Sequence, residues 1–341
     1  MAGIADVAAR AGVSKATASR ALSGTGYVSA STRDRVRAAA ALLGYVPSTS
    51  AVSLATGRTQ NIGVVMPYLN RWFFAEVLEG IQQRLLDEGL DLTLYDAKPG
   101  TVGRARIFED FLARKRFDGL IAVGLDPADH ELATLTHIGR PIVSIVGTGE
   151  ETSLIAVDDD DAARRATEHL LALGHEDIVF LGGGASPHAA PVDLQRLAGY
   201  RGAMIDAGRR DRIRHVTSDV SLPSGYDVAV DLLGDVRTRP TAIVGVCDEV
   251  AIGAIIAARR LGIPVPTGIS VVGIDDHEFA EMFALTTLKQ VPREQGAAAV
   301  DLLLAEIADP DRPRTVQRTR ARLVVRNSTS QVRIDAEDPQ G

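Results

Sequence analysis

The sequence predicts an all-α helix-turn-helix headpiece followed by an α/β core built on parallel sheet. Three observations lead there. Apolar residues recur at helical spacing over residues 4–43, in segments separated by Gly and Ser. From Asn61 on, short apolar runs rich in β-branched residues alternate with amphipathic stretches, which is the pattern of βα units. The chain has 341 residues, 45% of them hydrophobic, enough for two or three buried cores.

In the headpiece, Ile4, Val7, Ala8 and Ala11 make one apolar helical face, and Gly12 ends that helix. Ser14 suits the N-cap of a second helix running from Lys15 to about Ser23, which buries Ala18, Ala21 and Leu22. Ser31-Thr32-Arg33-Asp34 has the form of a capping box for a third helix, with Val36, Ala39, Ala40 and Leu43 inward and Gly44 at its end. Two short helices joined by a tight Gly turn, then a third, form a helix-turn-helix unit.

The second helix presents Lys15, Ala16, Thr17, Ser19 and Arg20, all short or basic. Such a helix can enter a DNA major groove by its N-terminal residues. Lys15 and Arg20 can donate to guanine edges, while Ser14, Thr17, Ser19 and Thr32 are sized for phosphate oxygens. Charge agrees. Residues 1–58 hold seven basic side chains against Asp6 and Asp34, a local +5 in a chain whose total is −7, so the rest carries −12. A basic head on an acidic body directs only the head at a polyanion.

In the core, IGVVM, LDLTLYD, GLIAV, PIVSIV, LIAVD, DIVFLG, TAIVGV and ISVVGI read as strands. Helices are expected at about 73–89, 101–116, 159–173, 191–208, 223–236 and 248–262. Ligands of open α/β sheets bind beyond the carboxyl ends of the strands. After the first strand comes Pro67-Tyr68-Leu69-Asn70-Arg71-Trp72-Phe73-Phe74, with three successive aromatics in a protein of 4% aromatic content. Those rings can stack on the apolar face of a sugar or on a purine, and Asn70 adds a polar contact. The run Asp158–Asp161 suits a helix N-terminus through the helix dipole.

Other classes find little support. Gly182-Gly183-Gly184 belongs to neither a phosphate loop nor a dinucleotide fingerprint and reads as a turn. Cys247 is the only cysteine, so no internal disulfide forms, and no motif pairs it with a base. Histidines 169, 175, 188 and 215 lack zinc-ligand spacing. No catalytic or metal site is expected, and no cofactor. No run nears the roughly eighteen apolar residues of a membrane span. The start, MAGIADVAARAGVS, lacks the basic and apolar regions of a signal peptide, so a cytoplasmic protein is expected.

The stretches IADVAARAGVSKATASRALSG, YVSASTRDRV and ALLGYVP closely resemble the headpiece of the LacI/GalR family of bacterial repressors. Downstream, TEHLLALGH, QRLAGYRGAM, SGYDVAV, PTAIVGVCDEVAIGAI, LGIPVPTGISVVGIDD, LKQVP and LVVRNST resemble family segments in the family's order, so the likeness runs from about residue 4 to 329. The resemblance implies a transcription regulator, a repressor, that binds a pseudopalindromic operator as a homodimer under control of a small-molecule effector. It implies a headpiece at 1–46, a hinge at 47–59 and a core at 60–330 of two subdomains like those of periplasmic sugar-binding proteins. One subdomain takes about 60–158 and 288–317, the other about 159–287 and 318–330.

Pro47 blocks the preceding helix and Ser48 can cap a new one, but the weak helix formers that follow favour order only when two hinges pair on DNA. By resemblance Leu54 is the leucine that wedges into the minor groove, with Ala51 beside it. Ser50 and Val52 depart from the family pattern. By resemblance, too, Asp161, Arg196, Asp248 and Asp275 contact the effector, while Cys247 stands where an asparagine is usual. A carboxylate, a guanidinium and an aromatic wall suit a polyhydroxylated neutral ligand, a sugar or sugar derivative first and a nucleoside or base second. A transport-type sugar-binding protein and an effector-independent architectural DNA-binding protein are the alternatives. The headpiece disfavours the first, and the second would bind DNA regardless of any small molecule. Residues 331–341 read as a disordered polar tail without heptads, consistent with a dimer rather than a coiled-coil tetramer.

Overall fold

The computed structural model describes residues 2–24, 26–45, 57–147, 151–184 and 190–332. The headpiece comprises α1 (Ile4–Ala11), α2 (Lys15–Ser23) and α3 (Ala30–Leu42). Gly12, at φ 65°, closes α1 in the left-handed conformation that a glycine adopts without strain. Ser14 caps α2 by accepting from the Thr17 amide at 3.1 Å. The cap of α3 is Ser29, which accepts from the Thr32 amide at 3.3 Å. The box expected at Ser31–Asp34 is therefore displaced by two residues, because Ser29 is the residue with extended backbone there and Ser31 already lies inside the helix. Val7, Ala8, Ala11, Ala18, Ala21, Val28, Val36, Ala39 and Ala40 form the core, with Ile4, Leu22 and Leu43 packed against it.

The larger part holds two six-stranded sheets. The first contains β1 (Asn61–Met66), β2 (Asp91–Asp96), β3 (Gly119–Val123), β4 (Ile142–Ile145), β5 (Ser153–Val157) and β11 (Val316–Thr319), in the order β11-β5-β4-β3-β1-β2. The second contains β6 (Ile178–Leu181), β7 (Arg214–Val216), β8 (Ala242–Gly245), β9 (Ser270–Asp275), β10 (Thr286–Lys289) and β12 (Arg322–Val324), in the order β12-β10-β9-β8-β6-β7. All pairings are parallel except β10 with β12, an antiparallel edge. The inner strands β1, β3, β5, β6 and β8 are almost wholly buried, as expected for parallel sheets covered on both faces.

Between the strands run α4 (Trp72–Asp87), α5 (Val102–Arg106), α6 (Asp129–His137), α7 (Asp159–Ala172), α8 (Pro191–Asp206), α9 (Leu222–Gly234), α10 (Asp248–Arg260) and α11 (Pro292–Ala308). The single helix expected at 101–116 is broken. After α5 the chain widens into a π turn at Ile107–Phe111, tightens into a 3-10 turn at Leu112–Arg114, and leaves through Lys115 at φ 47°. The polar edge strands β7, β11 and β12, the inner strand β10 and the helices α6 and α11 lay outside the expected elements. The chain passes between sheets after β5, after β10 and after β11, so β10 falls whole in the second sheet and β11 whole in the first.

Helices on each sheet approach closely at glycines. A Cβ on Gly80 of α4 would lie 2.1 Å from the Arg293 carbonyl oxygen of α11, and one on Gly296 would lie 2.4 Å from the Val77 carbonyl oxygen. Gly199 of α8 meets α7 at Asp160, while Gly225 and Gly253 let α9 and α10 meet in the same way. At the far end the chain is tied down beyond the expected tail boundary. Val332 donates its amide to the Leu173 carbonyl at 3.0 Å, and residues 333–341 lie outside the described residues. No helix among the described residues is long and apolar enough to cross a membrane.

Backbone atoms cannot give way as a flexible side chain does, so Gly296→Ala should lower stability by about 1–3 kcal/mol through overpacking of α4 against α11. Urea denaturation of the full chain measures this; an unchanged midpoint would show that the two helices are free to separate.

Candidate functional site

A cavity of about 510 Å³ opens between the carboxyl ends of the two sheets, within the usual size of small-molecule sites. The first sheet contributes the residues after β1, β3 and β4: Tyr68, Arg71, Trp72, Phe73, Phe74, Gly124, Leu125, Val146 and Gly147. The second contributes Gly183, Asp193, Arg196, Cys247, Glu249 and Asp275, and Gln290 enters from the segment after β10.

The aromatic wall is self-supporting. Phe74 meets Tyr68 edge-on at 5.7 Å and Phe73 at 5.4 Å between ring centres. The Arg71 guanidinium lies 3.6 Å above the Tyr68 ring. Trp72 crosses the cleft to lie against His277, 4.9 Å between centres.

Opposite stands Arg196, which is only 7% exposed. Its Nε donates to Asp159 Oδ1 at 2.8 Å, its Nη1 to the Val246 carbonyl at 2.7 Å, and its Nη2 to Asp275 Oδ1 at 3.5 Å. Burial disfavours the charged guanidinium, but Asp159 and Asp275 outweigh it and hold Arg196 above its ordinary value. Burial pushes Asp275 up to about 6 against the pull of Arg196 and of a 2.5 Å hydrogen bond from Gln290. Burial also raises Asp159, Asp193 and Glu249, and it raises the Cys247 thiol well above the usual range. Asp275 adopts φ 134°, a conformation that L side chains rarely take. It is kept there by the Gln290 bond, the Arg196 pair and the ladder to β10.

Of the residues that the sequence points to, Trp72, Phe73, Phe74, Arg196 and Asp275 meet at this cavity. Asn70 is exposed and outside it. Asp161 is also outside. It lies on the first turn of α7 facing Arg165 and Arg320, and Asp159, two residues earlier, is the carboxylate that reaches Arg196. Asp248 is fully buried behind the wall, where it accepts from the Thr287 hydroxyl at 2.6 Å and the His277 amide at 2.8 Å and fixes the turn after β9. Burial and the nearby Asp275 push Asp248 up to about 8. Asp193, Glu249 and Gln290 carry no motif; Glu249 and Gln290 lie shortly after strand ends, whereas Asp193 stands in the first turn of α8, well beyond β6.

On the headpiece, Lys15, Ala16, Ser19 and Arg20 are exposed along α2, and Thr17 is half-buried. The Ser14 and Thr17 hydroxyls lie 2.9 Å apart at the helix start, while Thr32 accepts from the Ser29 hydroxyl. Tyr27, between α2 and α3, is 93% exposed. Ala51 and Leu54, with Ser50 and Val52, lie outside the described residues. Among the described residues no group of three or more His, Cys, Asp or Glu could hold a metal ion.

Known proteins share this organisation. The family model "Bacterial regulatory proteins, lacI family" matches residues 3–48, and "Periplasmic binding protein-like domain" matches residues 167–329. The chain is 32% identical to the HTH-type transcriptional repressor PurR of Vibrio campbellii, over 97% of this chain and 100% of that protein. The lac repressor dimer bound to operator and the anti-inducer ONPF matches with a TM-score of 0.84 at 29% identity, covering 96% of this chain and 99% of that one. The complex of the transcriptional regulator CelR with cellobiose matches with a TM-score of 0.69 at 26% identity, covering 96% and 100%.

The raised Asp275 has a pH signature. The folded chain keeps its proton between the ordinary 3.8 and about 6, where the unfolded chain has released it. This contribution to stability is complete below that window and is lost as pH rises through it, on the order of 1 kcal/mol per pH unit. Denaturation at pH 4.5 and 6.5 should therefore show a flatter pH slope for Asp275→Asn than for the wild type. Equal slopes would assign the proton to another group.

Proposed function

The chain belongs to the lacI family of bacterial regulatory proteins, and from that membership we propose that it is a sequence-specific DNA-binding repressor of transcription. Its hold on the operator is set by a polyhydroxylated small molecule, a sugar or sugar derivative, bound between the two sheets. It is a regulator and not an enzyme. One observation carries the reading: a single chain joins a helix-turn-helix unit exposing Lys15 and Arg20 to a cavity that neither sheet encloses alone. The lac repressor was solved as a dimer on its operator, and CelR with cellobiose, which supports both halves of it.

In this reading two chains pair through their cores and set two headpieces on a pseudopalindromic site. Residues 47–59 form the hinge, with Ala51 and Leu54 at the minor groove. Ligand contacts the aromatic wall of one sheet and the Arg196–Asp275 wall of the other, so its affinity depends on how the two are apposed. That dependence is what lets it shift the balance between DNA-binding and DNA-releasing forms. The aromatic side chains of Tyr68, Trp72 and Phe74 also suit a nucleoside or base, the second reading of the ligand.

Lys15→Ala and Arg20→Ala should each weaken operator binding by about 1–3 kcal/mol while changing non-specific binding much less. Titration of operator and scrambled duplexes at one salt concentration measures both. A specific to non-specific ratio unchanged in both variants removes these side chains from base readout.

A further inference from the structure

Resting on the reading of the cavity as the ligand site, we propose that its ligand carries a protonated amine, and that Asp193 is the residue that selects it. The chemical class is a small polyhydroxylated amine such as an amino sugar.

Arg71 and Arg196 are the basic residues lining the cavity among the described residues. Arg196 is already engaged with Asp159, Asp275 and the Val246 carbonyl. Arg71 lies on the Tyr68 ring and close to Glu249 and Asp193. Arg71 keeps free N–H groups, and the carboxylates of Glu249 and Asp193 beside it already draw on its charge. Against the two cations stand Asp159, Asp193, Glu249 and Asp275, with Asp219 at the exposed rim. An anionic ligand would add to an existing excess of negative charge.

Asp193 is the part of that excess that no hydrogen-bond donor meets, although the charges of Arg196 and Arg71 and the start of α8 face it. It sits in the first turn of α8, only 8% exposed, on the cavity wall. Among the described residues its carboxylate accepts no hydrogen bond. Gly183 packs directly against it, since a Cβ there would fall 3.0 Å from the Asp193 Cβ. A buried carboxylate is costly unless a donor or a cation meets it. An ammonium supplies both, with three donors and a full charge, where a hydroxyl supplies one donor. Arg71 already covers the Tyr68 ring, and Trp72 and Phe74 keep aromatic surface on the cavity that favours a cation. A neutral sugar satisfies the aromatic wall and Arg196 but leaves the Asp193 charge in place.

The test uses the full-length protein and a panel of pentoses, hexoses and nucleosides. Each amine-bearing member is set beside its hydroxyl, N-acetyl and phosphate counterparts. Thermal shift finds binders, and calorimetry ranks them. An amine member should bind about tenfold or more tightly than its hydroxyl and N-acetyl counterparts, with the phosphate not binding. Asp193→Asn should bring the amine down to the level of its hydroxyl counterpart, with the far-ultraviolet circular dichroism confirming that the variant folds. A hydroxyl or phosphate member binding as tightly as the amine overturns the proposal, as does a folded Asp193→Asn protein that keeps the preference. If such a neutral member also changes operator affinity, the repressor reading stands and the amine alone falls. A panel without a single binder would sink both.

Discussion

The buried guanidinium of Arg196 is the interaction on which the candidate site rests. It binds the start of α7 through Asp159, the end of β8 through the Val246 carbonyl and the end of β9 through Asp275. Three segments that the sequence separates by tens of residues are thereby held at one point on the second sheet. Removing one partner from such a pair leaves a buried charge unanswered, which typically costs several kcal/mol. The arrangement is stable only as a whole. It also explains why Asp275 can persist at φ 134°, since the strain is held by partners on three sides.

The same wall is continuous with the rest of the core. Asp275 accepts from Gln290, whose Oε1 accepts from Gln295 Nε2 at 3.0 Å on the first turn of α11. Helix α11 lies backbone to backbone on α4 at Gly80 and Gly296, and α4 begins with the aromatic wall. A ring of contacts thus runs from the polar wall, through the crossover after β10, into the helix pair of the first sheet and back to the cavity. Close-packed elements of this kind shift between discrete arrangements rather than deform gradually, which is what a ligand-controlled regulator requires.

Much of this was legible in the residues. The apolar runs at IGVVM, GLIAV, LIAVD and TAIVGV became inner strands because only a strand covered on both faces is apolar throughout. Helical spacing found α1 to α3 because each buries a single stripe. The edges β7, β11 and β12 were hidden by their polar character, and β10, α6 and α11 also went unread. In the site, family likeness led to Arg196 and Asp275, and position after a strand led to the aromatics. Neither separates Asp159 from Asp161, because along an acidic run only the angle around the helix decides which carboxylate faces Arg196. Asp248 looked like a ligand contact for a related reason. Its place after β8 is correct, yet its side chain turns away to hold Thr287 and the His277 amide.

The central claim is that occupation of the cavity and the grip of the headpiece on DNA are one equilibrium. Trp72 is the only tryptophan in the chain, and it lies against His277 across the cleft, so its emission reports on the cavity. The direct measurement is a titration of full-length protein on operator duplex with the sugar or amino sugar that raises its melting temperature most. Trp72 emission and operator affinity are followed in the same samples. Both should change with one common midpoint in ligand concentration. A saturating change in Trp72 emission with operator affinity unmoved would contradict it.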